Sequence, residues 1–179
     1  MDDEEARTRL LDTAEELFYA EGIQAVGMDR IRAGSGVPLK RLYRLFPAKD
    51  TLVTAYLERR DRRWLGSLRE AVTGAERPVL AVFDWLADWF AEPDFRGCAF
   101  LNAYGELGAG GPEPVLGVVH RHKAELHALL AGLPGSSPAL ADDLLILVEG
   151  ATTVAALTPG PAPALRAREM AARLLSPTG

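Results

Sequence analysis

Apolar residues recur along most of this chain at the three- and four-residue spacing of α-helices. The first such segment carries on one face Leu10, Leu11, Ala14, Leu17 and Phe18. This spacing predicts a helix from about residue 4 to the turn at Gly22. The same pattern predicts further helices over residues 28–33, 39–46, 49–72, 79–91, 98–107, 115–130, 139–157 and 164–175. No segment shows the two-residue alternation of a strand, so we predict an all-α protein.

Glycine and proline mark the expected boundaries in the first third of the chain. Gly34-Ser35-Gly36 predicts a break after the second helix. We expect Pro38 to occupy the first position of the third helix, where its missing N–H costs nothing. Pro47 predicts the end of that helix.

Composition and charge are those of a folded protein with one local basic segment. The chain has 179 residues, 48% hydrophobic and 25% charged, with a net charge of −5. Residues 30–49 nevertheless contain six basic residues and no acidic one. Binding to phosphates depends on local potential, so this segment is a candidate for nucleic-acid contact despite the overall charge.

The single cysteine, Cys98, excludes an intramolecular disulfide framework. It is either a redox switch or an inert small apolar residue. The acidic start of the chain is not followed by an apolar run, so we expect no secretory signal. Apolar stretches are also too short to span a membrane, and we expect a cytoplasmic protein.

Signals for an enzyme or a metal site are weak. The sequence has no Walker loop, no GxGxxG and no HExxH. His120, His122 and His127 share one predicted helix, where the first two point about 200° apart. Asp84 and Asp88 form an acidic pair that is either a solvated face or a cation or proton site. We predict no catalytic residue, no metal ligand and no cofactor.

Residues 28–46 form two short predicted helices, of which the second is basic. In a helix-turn-helix, the second helix of such a pair lies in the DNA major groove. An ordinary αα-hairpin with a charged outer face fits the periodicity equally well. Periodicity alone leaves both interpretations open.

A composite motif over residues 7–55 resembles the N-terminal signature of the TetR family of transcriptional regulators. The matching residues, in order and at family spacing, are Leu17-Phe18, Gly22, Asp29-Arg30-Ile31, Ser35-Gly36-Val37, Leu42-Tyr43, Phe46-Pro47, Lys49 and Leu52. The chain departs from the family pattern at Met28, Arg32, Pro38 and Leu45, where the family has Thr, Ala, Ser and His. The lost His removes one possible phosphate contact.

The resemblance implies two domains and a regulatory function. Residues 1–48 would form the helix-turn-helix DNA-binding domain, and residues 49–179 a helical domain for ligand binding and dimerisation. The expected function is that of a ligand-responsive repressor, which binds a palindromic double-stranded DNA operator as a homodimer. The alternative is a helical small-molecule-binding protein or enzyme without a DNA role, which salt-dependent binding to duplex DNA would exclude.

Particular residues carry the implied DNA contacts. Tyr43 and Lys49 match family positions that hold phosphates, and both side chains suit a phosphate oxygen. Positions that approach base edges in the family correspond to Leu39, Lys40, Arg41 and Arg44. Leu42 and Phe46 should face inward.

The predicted helix over residues 79–91 is apolar nearly all round, so it is buried, lines a cavity or meets a partner. We expect an apolar effector in a pocket lined by Phe83, Trp85, Trp89, Phe90, Phe100, Asn102 and Tyr104. A filled core explains the same residues as well. Residues 96–103 (RGCAFLNA) resemble an RGCPFxNA-type motif of one TetR subfamily.

The dimer interface is expected on the last two helices, over residues 139–157 and 164–175. The first of these has more apolar surface than a terminal helix of a small monomer should expose. The apolar residues on which this expectation depends are Leu140, Leu144, Leu145, Leu147, Val148, Ala151 and Ala155.

Overall fold

A computed structural model describes residues 1–176 of the chain. These residues form α-helices and no strand, which confirms the all-α prediction. The helices are α1 (Asp3–Glu21), α2 (Met28–Ser35), α3 (Leu39–Leu45), α4 (Lys49–Val72), α5 (Pro78–Phe90), α6 (Ala99–Leu107), α7 (Glu113–Ala131), α8 (Pro138–Leu157) and α9 (Ala162–Leu174).

Local capping explains where the helices begin and end. The Asp2 carboxylate accepts a hydrogen bond from the Glu5 N–H at 2.8 Å, which caps α1. Gly22 ends the same helix with φ +95°, a conformation that favours glycine. The Ser137 hydroxyl accepts from the Leu140 N–H at 3.2 Å and caps α8.

The α2–α3 turn differs in two details from the turn predicted from the sequence. The predicted break at residues 34–36 is two residues too early, since α2 continues through Ser35 and ends at Gly36, with φ +66°. The Ser35 hydroxyl bonds to the Arg32 carbonyl at 3.2 Å, which fits it into the last turn. Pro38 precedes α3, because its ψ of 141° is extended. Its carbonyl accepts from Arg41 N and Leu42 N.

The chain divides into two compact units. The first contains residues 1–61 and 99–121, and within it α1 packs against α2 and α3. Its buried core side chains include Leu10, Phe18, Ile31, Leu42, Phe46, Leu52 and Tyr56. The domain boundary expected after residue 48 stays a prediction. The first compact unit does not end there but continues along α4 to Asp61.

The second unit contains, among the described residues, 62–98 and 122–176. Here α5 packs against both α8 and α9, so its apolar circumference is covered on more than one side. On its polar side, Asp84 accepts from Arg168 Nε at 2.7 Å, an ion pair with α9. Among the described residues, no helix has the length and hydropathy needed to cross a membrane.

Candidate nucleic-acid interface

Helix α3 presents a polar face to solvent because its apolar side is anchored. Leu42 and the following Phe46 are buried, as predicted, together with Ile31 and Val37 from α2 and the turn. Leu39 and Tyr43 are each 46% exposed, although both are large hydrophobic residues. The residues on the outward side of α3 are Leu39, Lys40, Arg41, Tyr43 and Arg44. The structure therefore brings together five of the six residues expected to contact DNA.

The sixth residue, Lys49, lies at the start of the next helix. It is the first residue of α4 and is half-buried, with its Nζ 6.0 Å from the centre of the Phe18 ring. The Thr51 hydroxyl donates to the Ala48 carbonyl at 2.6 Å and fixes this helix start. A cation beside a helix N-terminus suits a phosphate, because the first backbone N–H groups also point toward an anion.

Two arginines of α3 are tied to the N-terminal turn of α1. Arg41 Nη1 donates to the Met1 carbonyl at 2.6 Å, and its Nε lies 3.6 Å from Asp3 Oδ1. Arg44 Nη2 donates to the same Asp3 oxygen. An open concavity of about 790 Å³ beside them is lined by Met1, Gly36, Pro38, Lys40, Arg41 and Arg44. The sequence pattern gives no sign that Asp3 lies beside these arginines, because it is 38 positions from Arg41 in the chain.

The link between α1 and α2 is held by an acid from a distant part of the sequence. Glu106, on α6, accepts hydrogen bonds from the Ile23 N–H at 3.0 Å and the Gln24 N–H at 2.8 Å. The Gln24 side-chain amide donates in return to the Glu106 carbonyl. This clamp fixes the segment from which α2 begins. No spacing in the sequence indicates it.

The four α5 residues expected to line an effector pocket belong to the second unit. Phe83 and Phe90 are buried, and the Trp85 and Trp89 rings lie 5.7 Å apart. Trp64, on α4, meets Trp85 at 4.9 Å and Trp89 at 5.5 Å, both edge to face. The void beside Trp64 and Trp89 is only about 10 Å³, too small for more than one water molecule.

The other three expected pocket residues belong to the first unit. Phe100 is buried in its core, whereas Asn102 is exposed. Tyr104 is partly exposed and its ring lies 6.2 Å from that of His120. The α5 residues thus form an aromatic cluster among themselves, and the role of all seven as ligand contacts stays a prediction.

Three interacting side chains, those of Lys123, Glu149 and Cys98, lie next to this aromatic cluster. Lys123 Nζ donates to Glu149 Oε1 at 2.6 Å and to Cys98 Sγ at 3.3 Å. His122 is 1% exposed, and its ring meets Trp64 edge to face at 5.3 Å. Burial lowers the pKa of His122 to about 3, with a smaller contribution from the Lys123 charge. The sequence showed only that His120 and His122 point apart, and only the structure shows which of them is buried.

Helices α8 and α9 share an exposed apolar face. On α8, the exposed fraction is 70% for Ile146 and 82% for Leu157. A groove of about 290 Å³ runs between the two helices and is lined by Ile146, Leu147, Gly150, Ala151, Val154, Pro163, Arg166, Ala167 and Met170. We define the α8–α9 face as these residues together with Leu157, Leu165 and Leu174.

Most of the α8 residues named for the interface in the sequence analysis are buried within the chain itself. Those residues are Leu144, Val148, Ala151 and Ala155, while Leu140, Leu145 and Leu147 are half-buried. They pack in the core of the second unit. Of the seven, only Leu147 and Ala151 also line the groove between α8 and α9. The exposed side of α8 is formed by Ile146, Val154 and Leu157, which the expectation did not include.

Residues 10–56 match the family described as bacterial regulatory proteins, tetR family. The whole fold is similar to the crystal structure of SCO4454, a TetR-family transcriptional regulator from Streptomyces coelicolor. The TM-score is 0.89 with 34% identity, over 96% of this chain and 95% of that one.

Two further relatives agree. A putative TetR transcriptional regulator from Streptomyces avermitilis has a TM-score of 0.76 and 26% identity, over 93% of this chain and 98% of that chain. An uncharacterised HTH-type transcriptional regulator from Mycobacterium tuberculosis is 35% identical over 82 residues, which are 43% of this chain and 40% of that protein. These relatives are named as regulators, which confirms the prediction that the chain is a regulator and not an enzyme.

Proposed function

Because this chain belongs to the TetR family of transcriptional regulators, we propose that it binds a palindromic DNA operator as a homodimer, with α3 in the major groove. The observation that carries the proposal is the outward face of α3. It has three cations, a phenol and no acid, and it is held outward by the buried Leu42. A helix that reads DNA needs this combination of a fixed apolar side and a basic polar side.

The contacts divide into two classes. Tyr43 and Lys49 bind phosphate oxygens, which set the position of α3 on the duplex. Arg41 and Arg44 reach base edges, where a guanidinium can pair with guanine O6 and N7. Leu39 and Lys40 complete the face of α3 toward the groove.

The α8–α9 face supports the homodimer. Its side chains Ile146, Val154 and Leu157 are more than half exposed among residues 1–176, and a second copy with the same face would bury them isologously. Gly150 has open space where a Cβ would stand, so two α8 helices can approach closely there. Two α3 helices, one from each copy, would then read half-sites about 34–36 Å apart.

Lys49→Ala is expected to weaken binding to all duplexes alike. Loss of one phosphate contact per half-site should lower the slope of log K against log salt by about one per half-site. Fluorescence anisotropy of labelled duplexes between low and moderate salt measures both quantities. Arg121→Ala, which removes an exposed cation of α7 paired with Glu58, is the control and should leave the slope as it is.

The same titration separates this proposal from its rival. A helical binding protein or enzyme without a DNA role would bind no duplex in a salt-dependent way. Selection from a random duplex library by the wild-type protein should instead enrich a palindromic sequence. Absence of any enrichment would overturn the proposed function.

An apolar small molecule is proposed as the effector, bound among the aromatic side chains of α5. Since the void beside Trp89 is about 10 Å³, binding there must part the Trp64, Trp85 and Trp89 rings. A ligand that binds this opened state better than the closed one shifts the balance between them.

Tryptophan fluorescence provides the test of the effector site. All three tryptophans of the chain, Trp64, Trp85 and Trp89, belong to this cluster, so any quenching reports on it. A hydrophobic effector should quench the fluorescence and release operator DNA over the same concentration range. Trp85→Leu should weaken that response roughly two- to tenfold, the value of one aromatic contact. Quenching without DNA release would mean a binding site without regulation.

A further inference from the structure

The carboxylate of Asp3 lies against both arginines that the proposed function assigns to base reading. It accepts a hydrogen bond from Arg44 Nη2 and lies 3.6 Å from Arg41 Nε. Asp3 belongs to the first turn of α1, while the arginines lie one turn apart on α3. One acid therefore connects the N-terminal turn to the recognition helix at the place where base contacts are expected.

A free arginine in a major groove has two kinds of partner. Its guanidinium can pair with guanine in a bidentate way, or it can bind the nearest phosphate, which carries no sequence information. The second choice is always available along a duplex, whereas the first requires a particular orientation of the planar group. A carboxylate that holds one edge of the guanidinium fixes that plane and leaves the other edge for a base.

We propose that Asp3 is a positioning residue that sets base specificity, by holding Arg41 and Arg44 toward base edges and away from phosphates. This inference rests on the proposed function. It assigns to α1 a part in recognition that the helix-turn-helix alone does not include. The Met1 carbonyl, which accepts from Arg41 Nη1 at 2.6 Å, acts in the same direction.

The role of Asp3 in folding is small. The Asp3 side chain is 56% exposed and the Arg44 side chain is 58% exposed, and ion pairs between exposed groups contribute little to stability. The cap of α1 is Asp2, not Asp3. The packing of α1 against α3 depends on buried apolar side chains such as Leu10 and Leu42. Asp3→Asn should therefore fold normally, and a circular dichroism melt checks that it does.

The experiment compares the full-length wild type with Asp3→Asn, Asp3→Glu and Glu4→Gln. Glu4→Gln removes the same charge from the adjacent position of α1, and within residues 1–176 Glu4 has no hydrogen bond or ion pair with α3. Two probes are used, a duplex selected from a random library by the wild type and an unrelated duplex of equal length. Each protein is titrated on both at several salt concentrations.

Asp3→Asn is expected to bind the unrelated duplex more tightly, with a salt slope steeper by about one per half-site, because the freed arginines reach phosphates. The ratio of selected to unrelated affinity should fall roughly fivefold or more, the low end of what one bidentate arginine contributes. Asp3→Glu retains the carboxylate and should restore most of that ratio. Glu4→Gln should change both affinities by the same factor and leave the ratio intact.

Two results would overturn this inference while leaving the proposed function in place. One is an unchanged ratio in Asp3→Asn, and the other is an equal loss of ratio in Glu4→Gln, which would indicate general repulsion of DNA by the acidic turn. Failure of the wild type to select any duplex would instead overturn the proposed function, and this inference with it.

Discussion

Ile146→Asp is expected to turn the proposed homodimer into monomers at micromolar concentration. Ile146 lies near the middle of α8 and is 70% exposed within the chain, so the change should leave the fold of the monomer intact. In an isologous dimer the same carboxylate enters the interface twice. An unpaired charge in an apolar interface costs about 3 kcal/mol or more, so the dissociation constant should rise more than 100-fold.

Sedimentation equilibrium measures the association, and duplex titration measures its consequence. A monomer contacts one half-site, so operator affinity should fall by a similar factor. Leu101→Asp is the control, since Leu101 is an exposed apolar residue of α6, outside the α8–α9 face. A wild type that sediments as a monomer with and without DNA, or an Ile146→Asp variant that stays dimeric, would contradict the proposed interface.

Acidification is expected to destabilise the protein through His122. In the unfolded chain a histidine binds a proton near pH 6.5, but burial among Trp64 and its neighbours lowers the pKa of His122 to about 3. Between these values the unfolded state binds a proton that the folded state excludes, so stability falls as the pH falls. This one group should remove about 1 kcal/mol at pH 5.5 and about 3 kcal/mol at pH 4.5, relative to neutral pH.

Denaturant unfolding at fixed protein concentration over pH 4.5–7.5 tests this expectation. His122→Gln should lower the stability at pH 7.5, because the amide replaces a packed ring, yet should lose less stability on acidification. His120→Gln removes an exposed imidazole from the same helix and provides the control. Parallel pH profiles for the wild type and His122→Gln would show that His122 is not the source of the acid sensitivity.

The sequence by itself determined the helices and the orientation of the recognition helix. Apolar spacing placed α4 at residues 49–72 and α8 within one residue of its start, because a helix that buries one face must repeat its apolar residues every three or four positions. Leu42 and Phe46 were correctly expected to face inward. The turn was harder, since Gly34 and Ser35 are tolerated in the last turn of α2.

The sequence also indicated the family, because the composite motif combines buried anchors with outward-facing polar residues at fixed spacing. Every residue in that motif acts within one short segment, α1 to the start of α4. Local spacing is enough to describe such a segment, and residues 10–56 are the part that matches the family description.

Only the tertiary structure decided which helix faces are covered. Both Leu144 and Ile146 are large and apolar, yet the first is buried against its own chain and the second is exposed. In the same way, only the fold brought Asp3 into a hydrogen bond with Arg44 and Glu106 into hydrogen bonds with the α1–α2 link. It also packed the His122 ring against Trp64. Periodicity states which side chains share a face of one helix. The partner of that face, and with it burial, charge pairing and pKa, depends on contacts between residues that are far apart in the chain.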